Sequence, residues 1–256
     1  MNANRRNTLL AIAGLGAAYS GVRYFPGFGN DKIAFEMIAD PPGFRRLTAG
    51  ESSSGFDPFY GLGGSDADPL IEAKARARSD ICAALYGELT SDPNTVPVAS
   101  FSDYYCPYCR VQTKKLAALA ARTDSGIKVA WHELPLLGAS SNLAAKAALA
   151  AKRQGAYVAF HQRLMKSPFQ ATPEYLRVLA DSIGVDYGTL VADMQSDTVV
   201  RELETSAALG NVFAFVGTPA MVIGRTVIQG QVSDNTLLRV ASMEKEDGWA
   251  KACVAI

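Results

Sequence analysis

Two cysteines separated by two residues, Cys106 and Cys109, are the part of this sequence best suited to chemistry. They follow a short apolar run typical of a strand, 96–101, and they precede a stretch with apolar residues at helical spacing. Cys106 is therefore expected at a helix N-terminus, where free N–H groups and the helix dipole favour negative charge. Such a position lowers the pKa of a cysteine from its usual value of about 8.5. We predict that Cys106 is the attacking thiolate and Cys109 the resolving thiol.

A pair of this spacing has two other common roles. A zinc site would need further ligands at metal-binding spacing, but the remaining candidates occur singly along the chain: Cys82, His132, His161 and Cys253. A purely structural disulfide would be unusual for so short a loop at the start of a helix. Thiol–disulfide exchange is therefore the favoured chemistry. We expect no metal site and no small-molecule cofactor.

The stretch FSDYYCPYCR at 101–110 resembles the active-site region of the DsbA-like thiol–disulfide oxidoreductases of the thioredoxin superfamily. A second similarity lies downstream, where Thr218 and Pro219 match the cis-proline loop that faces the cysteines in that superfamily. The resemblance implies that these two residues bind substrate beside the cysteines. It implies the same for Pro107 and Tyr108, which lie between the cysteines.

The resemblance covers about residues 95–246 and implies an α/β class, with a thioredoxin fold that carries an inserted helical domain. A second strand is predicted at 126–132, parallel to the first, and nearly all of 141–209 has a helical pattern. The predicted segments are a signal peptide or anchor (1–22), an arm and helix (23–92), the first part of the core (93–139), the helical insertion (140–210), and the second part of the core with a final helix (211–256).

The first 22 residues have the features of an export signal. Arg5 and Arg6 precede an uncharged run, and small residues at Ala18 and Ser20 suit a cleavage site. Paired arginines also occur in twin-arginine signals. An uncleaved membrane anchor and a cytoplasmic extension are the alternatives. Export would place the cysteine pair in an oxidising compartment, so we expect a periplasmic protein, either free or anchored.

The segment between this signal and the core is rich in glycine, proline and serine. The turn sequence at 40–43 predicts either a hairpin or an arm that lies on the domain. Aromatic residues at 56–63 belong either to an anchored loop or to a segment that docks on a groove. A single helix is predicted from Asp68 to about Tyr86, because aspartate and proline favour a helix start.

Two cysteines lie outside the predicted active site. Cys82 and Cys253 have no histidine nearby in sequence, and neither has an activating environment. In an exported protein the simplest partner for each is the other, so we predict a structural disulfide between them. Two separately buried thiols are the alternative. His132 and Glu133, at the end of the second strand, are interpreted as a pair that is solvated or hydrogen-bonded locally. His161 is interpreted as a surface or core helix residue and not as a ligand.

The predicted function is an exported oxidoreductase that introduces disulfides through the CPYC pair. Its partners would be substrate proteins with cysteines and, by family resemblance, a DsbB-like membrane protein that reoxidises it. A formal net charge of zero gives no reason to expect nucleic acid. Three alternatives stay open: a disulfide isomerase or reductase that is kept reduced and oligomeric, a glutathione-linked transferase or isomerase of the same fold, and a non-enzymatic thiol chaperone or metal-binding module. A glutathione-linked enzyme would not need Cys109, so this residue argues against it.

Overall fold

The computed structural model describes residues 33–48, 50–54, 70–92 and 94–254. The predicted export signal, the aromatic segment at 56–63, and the residues Asp68 and Pro69 lie outside the described residues. The strands and helices that follow all belong to one unit, 35–256. Across the described ranges, no helix has the length and apolar character needed to cross a membrane.

One mixed sheet runs through the described part of the chain. Its strands are β1 (Glu36–Met37), β2 (Arg45–Thr48), β3 (Val96–Ser102), β4 (Ile127–Glu133), β5 (Ala220–Ile223) and β6 (Thr226–Gln229). Their order across the sheet is β1-β2-β6-β5-β3-β4. The predicted parallel pairing of β3 with β4 is confirmed. Gly224-Arg225 between two short β-branched runs predicts a two-residue hairpin, and β5 and β6 form it. Every side chain of β3 is buried, as expected for a central strand covered on both faces.

The described helices surround this sheet. They are α1 (Ile71–Ser79), α2 (Ile81–Tyr86), α3 (Pro107–Ala120), α4 (Ala139–Arg153), α5 (Tyr157–Lys166), α6 (Pro173–Ser182), α7 (Tyr187–Asp193), α8 (Asp197–Val212), α9 (Asp234–Asp247) and α10 (Lys251–Val254). Helices α4 to α8 form the predicted run of helices between β4 and β5. The division of the chain into five segments stays a prediction.

The core consists of two groups of buried side chains. One group includes Phe44, residues of α1 and α2, one face of the sheet, and the end of α8. The other is built mainly by α4 to α8, and it also contains Cys106 and Cys109. The inserted helices therefore share a continuous apolar interior with the cysteine pair at the start of α3.

The prediction of a single helix ending near Tyr86 is wrong, because the chain breaks at Asp80. This residue leaves helical geometry, with φ −150° and ψ 83°. Its side chain accepts a hydrogen bond of 2.9 Å from the backbone N–H of Ala83. Aspartate is favoured as an N-cap because it satisfies an N–H group that the helix itself leaves unpaired. Cys82 consequently lies in the first turn of α2 and not in the middle of a longer helix.

The N-terminal arm forms the hairpin alternative, β1 with β2, and also extends the sheet. β2 pairs parallel with β6. The buried side chain of Arg45, in β2, lies 2.6 Å from a carboxylate oxygen of Glu244 and 3.0 Å from one of Asp247, and it donates to the hydroxyl of Thr226 at 2.9 Å. These contacts tie the N-terminal hairpin to α9 at the other end of the chain.

The structure joins Cys82 in α2 to Cys253 in α10 by a disulfide with Cα atoms 5.5 Å apart. We expect mass spectrometry of the non-reduced protein to find this linkage. The two residues are 171 positions apart, so the chain-entropy model gives a stabilisation of at most about 5 kcal/mol. The stabilisation that the disulfide contributes can be measured by urea denaturation of a Cys82→Ala, Cys253→Ala double variant, compared with the oxidised wild type. Two free thiols at these positions in the oxidised protein would contradict the prediction.

Candidate active site at the Cys106–Cys109 pair

Cys106 is the N-cap residue of α3 and has the extended backbone conformation typical of that position. Its Sγ accepts a hydrogen bond of 3.1 Å from the backbone N–H of Cys109. Pro107 occupies the first helical position, where no N–H donor is required. The sulfur thus serves as the helix cap, which places it at the positive end of the helix dipole. Both thiols of the pair are free and buried.

The Thr218–Pro219 loop lies directly against Cys106. Its peptide bond is cis, and the Cys106 thiol lies 3.2 Å from the carbonyl oxygen of Thr218. The sheet causes this meeting, because β3 and β5 are antiparallel and Phe101 pairs with Ala220. The end of β3, which leads to the cysteines, therefore lies beside the start of β5, which follows the proline. Both Thr218 and Pro219 are buried.

The two thiols have opposite electrostatic environments. A hydrogen bond from the Cys109 side chain, with further contributions from Ser53, Thr218 and the backbone N–H of Cys109, lowers the pKa of Cys106 to about 6 against the opposing effect of burial. Burial raises the pKa of Cys109 far above its ordinary value, and the neighbouring Cys106 sulfur adds to this. One cysteine is thus a thiolate near neutral pH while the other keeps its proton. This division suits a nucleophile and a resolving thiol.

Alkylation of the reduced protein at mildly acidic pH should label Cys106 first. Only the thiolate reacts, and the lowered pKa keeps a large fraction of Cys106 ionised at pH values where an ordinary cysteine is protonated. The pH dependence of the iodoacetamide rate, with the labelled residue identified by peptide mass spectrometry, should give a midpoint near 6. Faster labelling of Cys109 would show that the roles are assigned the wrong way round.

A buried carboxylate, Asp103, fixes the turn that leads into the cysteines. It accepts hydrogen bonds from the backbone N–H groups of Tyr105, Leu136 and Leu137, at 2.8, 2.8 and 2.9 Å. The hydroxyl of Ser141 donates to it at 2.8 Å. Asp103 thereby joins the active-site turn to the loop after β4 and to the start of α4. The sequence alone assigned no role to Asp103.

A second polar cluster lies in the core beside Tyr104, two residues before Cys106. The Tyr104 hydroxyl donates to Glu133 at 2.5 Å and lies 2.8 Å from Nδ1 of His161. The Tyr157 hydroxyl donates to the same oxygen of Glu133 at 2.7 Å. Burial, and then the Glu133 charge, raise the pKa of Tyr104 well above its ordinary value. The cluster holds the strand end in place, and sequence analysis did not anticipate it.

The remaining residues singled out in the sequence are His132, Pro107 and Tyr108. His132 is hydrogen-bonded to the carbonyl oxygen of Leu85 at 2.8 Å and stacks on Phe101. The prediction that His132 and Glu133 are solvated or bonded locally is wrong, because Leu85 is 47 residues away and Glu133 is buried among the residues of the Tyr104 cluster. Pro107 is exposed and Tyr108 is half-buried at the surface of the pair. Within the described ranges, no three His, Cys, Asp or Glu side chains come together as a metal site would require.

Comparison with known proteins assigns the class. The model of the DSBA-like thioredoxin domain family matches residues 97–240, which include both cysteines and the cis-proline loop. The chain therefore belongs to the DSBA-like thioredoxin domain family. It is a DsbA-like thiol–disulfide oxidoreductase, and the predicted thioredoxin fold with inserted helices is confirmed. A search of curated proteins found no match.

Solved structures agree with this assignment. A thioredoxin-like oxidoreductase from Silicibacter pomeroyi is 32% identical with a TM-score of 0.58, and the alignment covers 64% of this chain and 97% of that one. The catalytic domain of Proteus mirabilis ScsC is 25% identical with a TM-score of 0.56, covering 68% and 98%. A periplasmic thioredoxin-like protein from Salmonella enterica is 25% identical with a TM-score of 0.54, covering 71% and 99%.

Proposed function

We propose that this protein introduces disulfides into cysteine-containing substrate proteins through the Cys106–Cys109 pair. The observation that carries the proposal is the opposite ionisation of the two thiols at a buried helix start, next to a cis-proline loop. A structural pair would not need one activated sulfur. A non-enzymatic thiol chaperone or metal-binding module would have no use for the cis-proline loop beside that sulfur.

The reaction begins with the pair as a disulfide. A substrate thiolate attacks Sγ of Cys106, the new sulfur–sulfur bond forms, and Cys109 leaves as a thiolate that takes up a proton. A second substrate thiolate then attacks the sulfur of the first, which forms the substrate disulfide and releases Cys106 as a thiolate. Two electrons pass from the substrate thiols to the pair. Because both electrons pass directly between cysteine sulfurs, the exchange needs no cofactor.

The residues around the pair would hold the substrate for this exchange. The carbonyl group of Thr218, next to the cis bond with Pro219, lies beside Cys106, and we expect this loop to align a substrate segment with the sulfur. Pro107 and Tyr108, at the start of α3, form the other side of the contact. Extended peptides commonly bind by pairing their backbone with an available strand edge.

The lowered pKa of Cys106 favours the oxidising direction. A stabilised thiolate stabilises the reduced protein, and the disulfide is then the stronger oxidant. Relative to an unfolded thiol with a pKa of about 8.5, this stabilisation is fully present above that pH. It is lost as the pH falls through about 6, the pKa of the folded thiol. Relative to a couple of ordinary thiols such as glutathione, the oxidising strength of the pair should therefore decrease on acidification across this interval.

The test is the equilibrium reduction potential of the purified protein against glutathione, measured together with two activity assays. We expect a potential above that of the glutathione pool, rapid oxidation of a reduced substrate protein, and weak reduction of insulin. A strongly reducing potential with efficient insulin reduction would instead identify a reductase. Efficient repair of a scrambled substrate by the reduced protein would identify an isomerase.

We propose in addition that the protein works after export, where a DsbB-like membrane protein would reoxidise it. Arg5, Arg6 and the uncharged run that follows support export, and one similar protein is described as periplasmic. A reporter fused after Gly27 should reach the periplasm. Retention of the reporter in the cytoplasm would reverse the favoured direction, because that compartment keeps thiols reduced.

A further inference from the structure

Residues 50–54, which we call the 50–54 segment, lie beside the cis-proline loop and pair with it through a single β-bridge at Ser53. The backbone N–H of Ser53 donates to the carbonyl oxygen of Thr218 at 2.7 Å. The N–H of Thr218 donates back to the carbonyl oxygen of Ser53 at 2.8 Å, which completes an antiparallel bridge. Both backbone groups of Thr218 are therefore engaged by the chain itself.

Two glycines permit this close approach. A Cβ atom on Gly217 would lie 2.5 Å from the carbonyl oxygen of Ser53, which is too close for any side chain. Gly50 has a φ of +68°, and a Cβ atom there would lie 1.7 Å from the carbonyl oxygen of Gln231. The N–H of Gln231 donates to the backbone carbonyl oxygen of Glu51 at 3.0 Å. The segment thus has a defined position along the edge of the loop.

The segment is held less firmly than the other backbone beside Cys106. Cys109 belongs to α3, and Thr218 lies two residues before β5, which is hydrogen-bonded to strands on both sides. The 50–54 segment is held at its ends by a few backbone hydrogen bonds, and Glu51 and Ser54 are exposed. Of the backbone next to Cys106, the 50–54 segment can therefore move at the lowest cost in broken hydrogen bonds.

We propose that the 50–54 segment is an internal occupant of the substrate-binding edge, and that an extended cysteine-containing peptide must displace it to pair with Thr218. The proposal rests on the proposed function, since it concerns the same site. The matching chemistry is backbone pairing: Ser53 already makes the two hydrogen bonds that an incoming peptide would make there. Binding therefore exchanges one strand for another, and the occupied edge weakens the apparent affinity for every peptide substrate.

The occupant acts on the thiolate as well. Hydrogen bonding from Ser53 is one of the contributions that lower the pKa of Cys106. When a peptide replaces the segment, that contribution is lost and the thiolate is less stabilised. A compound without a peptide backbone needs no strand edge, so its reaction with Cys106 should be insensitive to whether the bridge is intact. This difference between peptide and non-peptide reagents is the basis of the test.

The experiment uses the full chain in a Cys109→Ser background, so that the reaction stops at the mixed disulfide. The probes are a peptide of extended sequence whose single cysteine carries thionitrobenzoate, and the small aromatic disulfide dithiobis(nitrobenzoate). In both cases the Cys106 thiolate forms a new disulfide and expels coloured thionitrobenzoate. The pH is kept well above the pKa of Cys106, which removes differences in ionisation. A peptide N-methylated on both sides of its cysteine serves as the probe that cannot pair.

Three variants separate the effect of the backbone bridge from that of the Ser53 hydroxyl and from that of introducing a proline. Ser53→Pro removes the N–H that donates to Thr218, so the bridge opens. Ser54→Pro is the matched control, because no hydrogen bond of the Ser54 N–H occurs within the described residues and proline keeps the preceding residue extended. Ser53→Ala keeps the backbone bridge and removes only the hydroxyl.

We expect Ser53→Pro to raise the second-order rate constant for the peptide about tenfold, equivalent to about 1.4 kcal/mol, with no change for the small disulfide. The control variant, Ser53→Ala and the N-methylated peptide should show no such gain. Equal, non-zero peptide rates for wild type and Ser53→Pro would overturn the displacement proposal while leaving the proposed function intact. No reaction of either protein with the peptide, despite normal reaction with the small disulfide, would overturn the proposed function and this proposal with it.

Discussion

Replacement of Cys106 with serine should abolish thiol–disulfide exchange, whereas replacement of Cys109 should stop the reaction halfway. A hydroxyl in place of the activated sulfur cannot form the mixed disulfide on which exchange depends. With Cys109 absent, Cys106 still attacks or is attacked, but no resolving thiol releases the substrate. Non-reducing gels should show substrate held on the Cys109→Ser variant and none on Cys106→Ser.

The matched control for these variants is the Cys82→Ala, Cys253→Ala protein, which lacks the other two cysteines. It should retain exchange at about the wild-type rate, because this disulfide lies in α2 and α10, away from the start of α3. Mixed disulfides that form through Cys109 in the Cys106→Ser variant would contradict the assigned roles. So would substantial turnover by either single variant.

Replacement of Asp103 with alanine should lower the free energy of unfolding by about 3–4 kcal/mol. The carboxylate is 1% exposed and accepts three backbone N–H groups and one hydroxyl. Alanine leaves these buried donors without partners, and each unsatisfied donor is costly. Because the same carboxylate fixes the turn before Cys106, exchange activity should fall in the folded fraction as well. Urea denaturation measures the first effect, and the alkylation rate of Cys106 measures the second.

Asp124→Ala is the control for this stability measurement. Its carboxylate is exposed and pairs with the exposed guanidinium of Arg122. Surface ion pairs contribute little, so the free energy of unfolding should change by no more than about 0.5 kcal/mol. A loss of stability in Asp103→Ala that is no larger than in this control would show that the buried hydrogen bonds of Asp103 are not required.

The parts of the fold that sequence analysis predicted are those with local signals. The apolar run of β3, followed by Cys106-Pro107, marks a strand that leads into a helix with a suitable first turn. Gly224-Arg225 between two β-branched runs marks the β5–β6 hairpin. In each case the residues that determine the structure are neighbours in the chain. Their pattern is therefore visible without knowledge of the tertiary contacts.

The features that were missed depend on contacts between distant residues. Nothing near Ser53 in the sequence indicates that it pairs with Thr218, since backbone hydrogen bonds leave no mark on side-chain pattern. The cluster of Tyr104, Glu133 and His161 combines three elements, and each residue alone fits an ordinary solvent-exposed position. The break at Asp80 did have a local signal, the aspartate itself, but apolar residues at helical spacing on both sides of it favoured a single helix.

A second copy of this chain that approached the β1 side of the sheet would find little to pair with. Exposed strand edges act as templates for aggregation, because their unpaired N–H and C=O groups accept a foreign strand. β2 covers the edge of β6 along four residue pairs, and the outermost described strand, β1, is only two residues long. Both of its side chains are exposed, and one is the charged Glu36. The N-terminal hairpin thus leaves little exposed strand for self-association at this edge of the sheet, a benefit that is independent of catalysis.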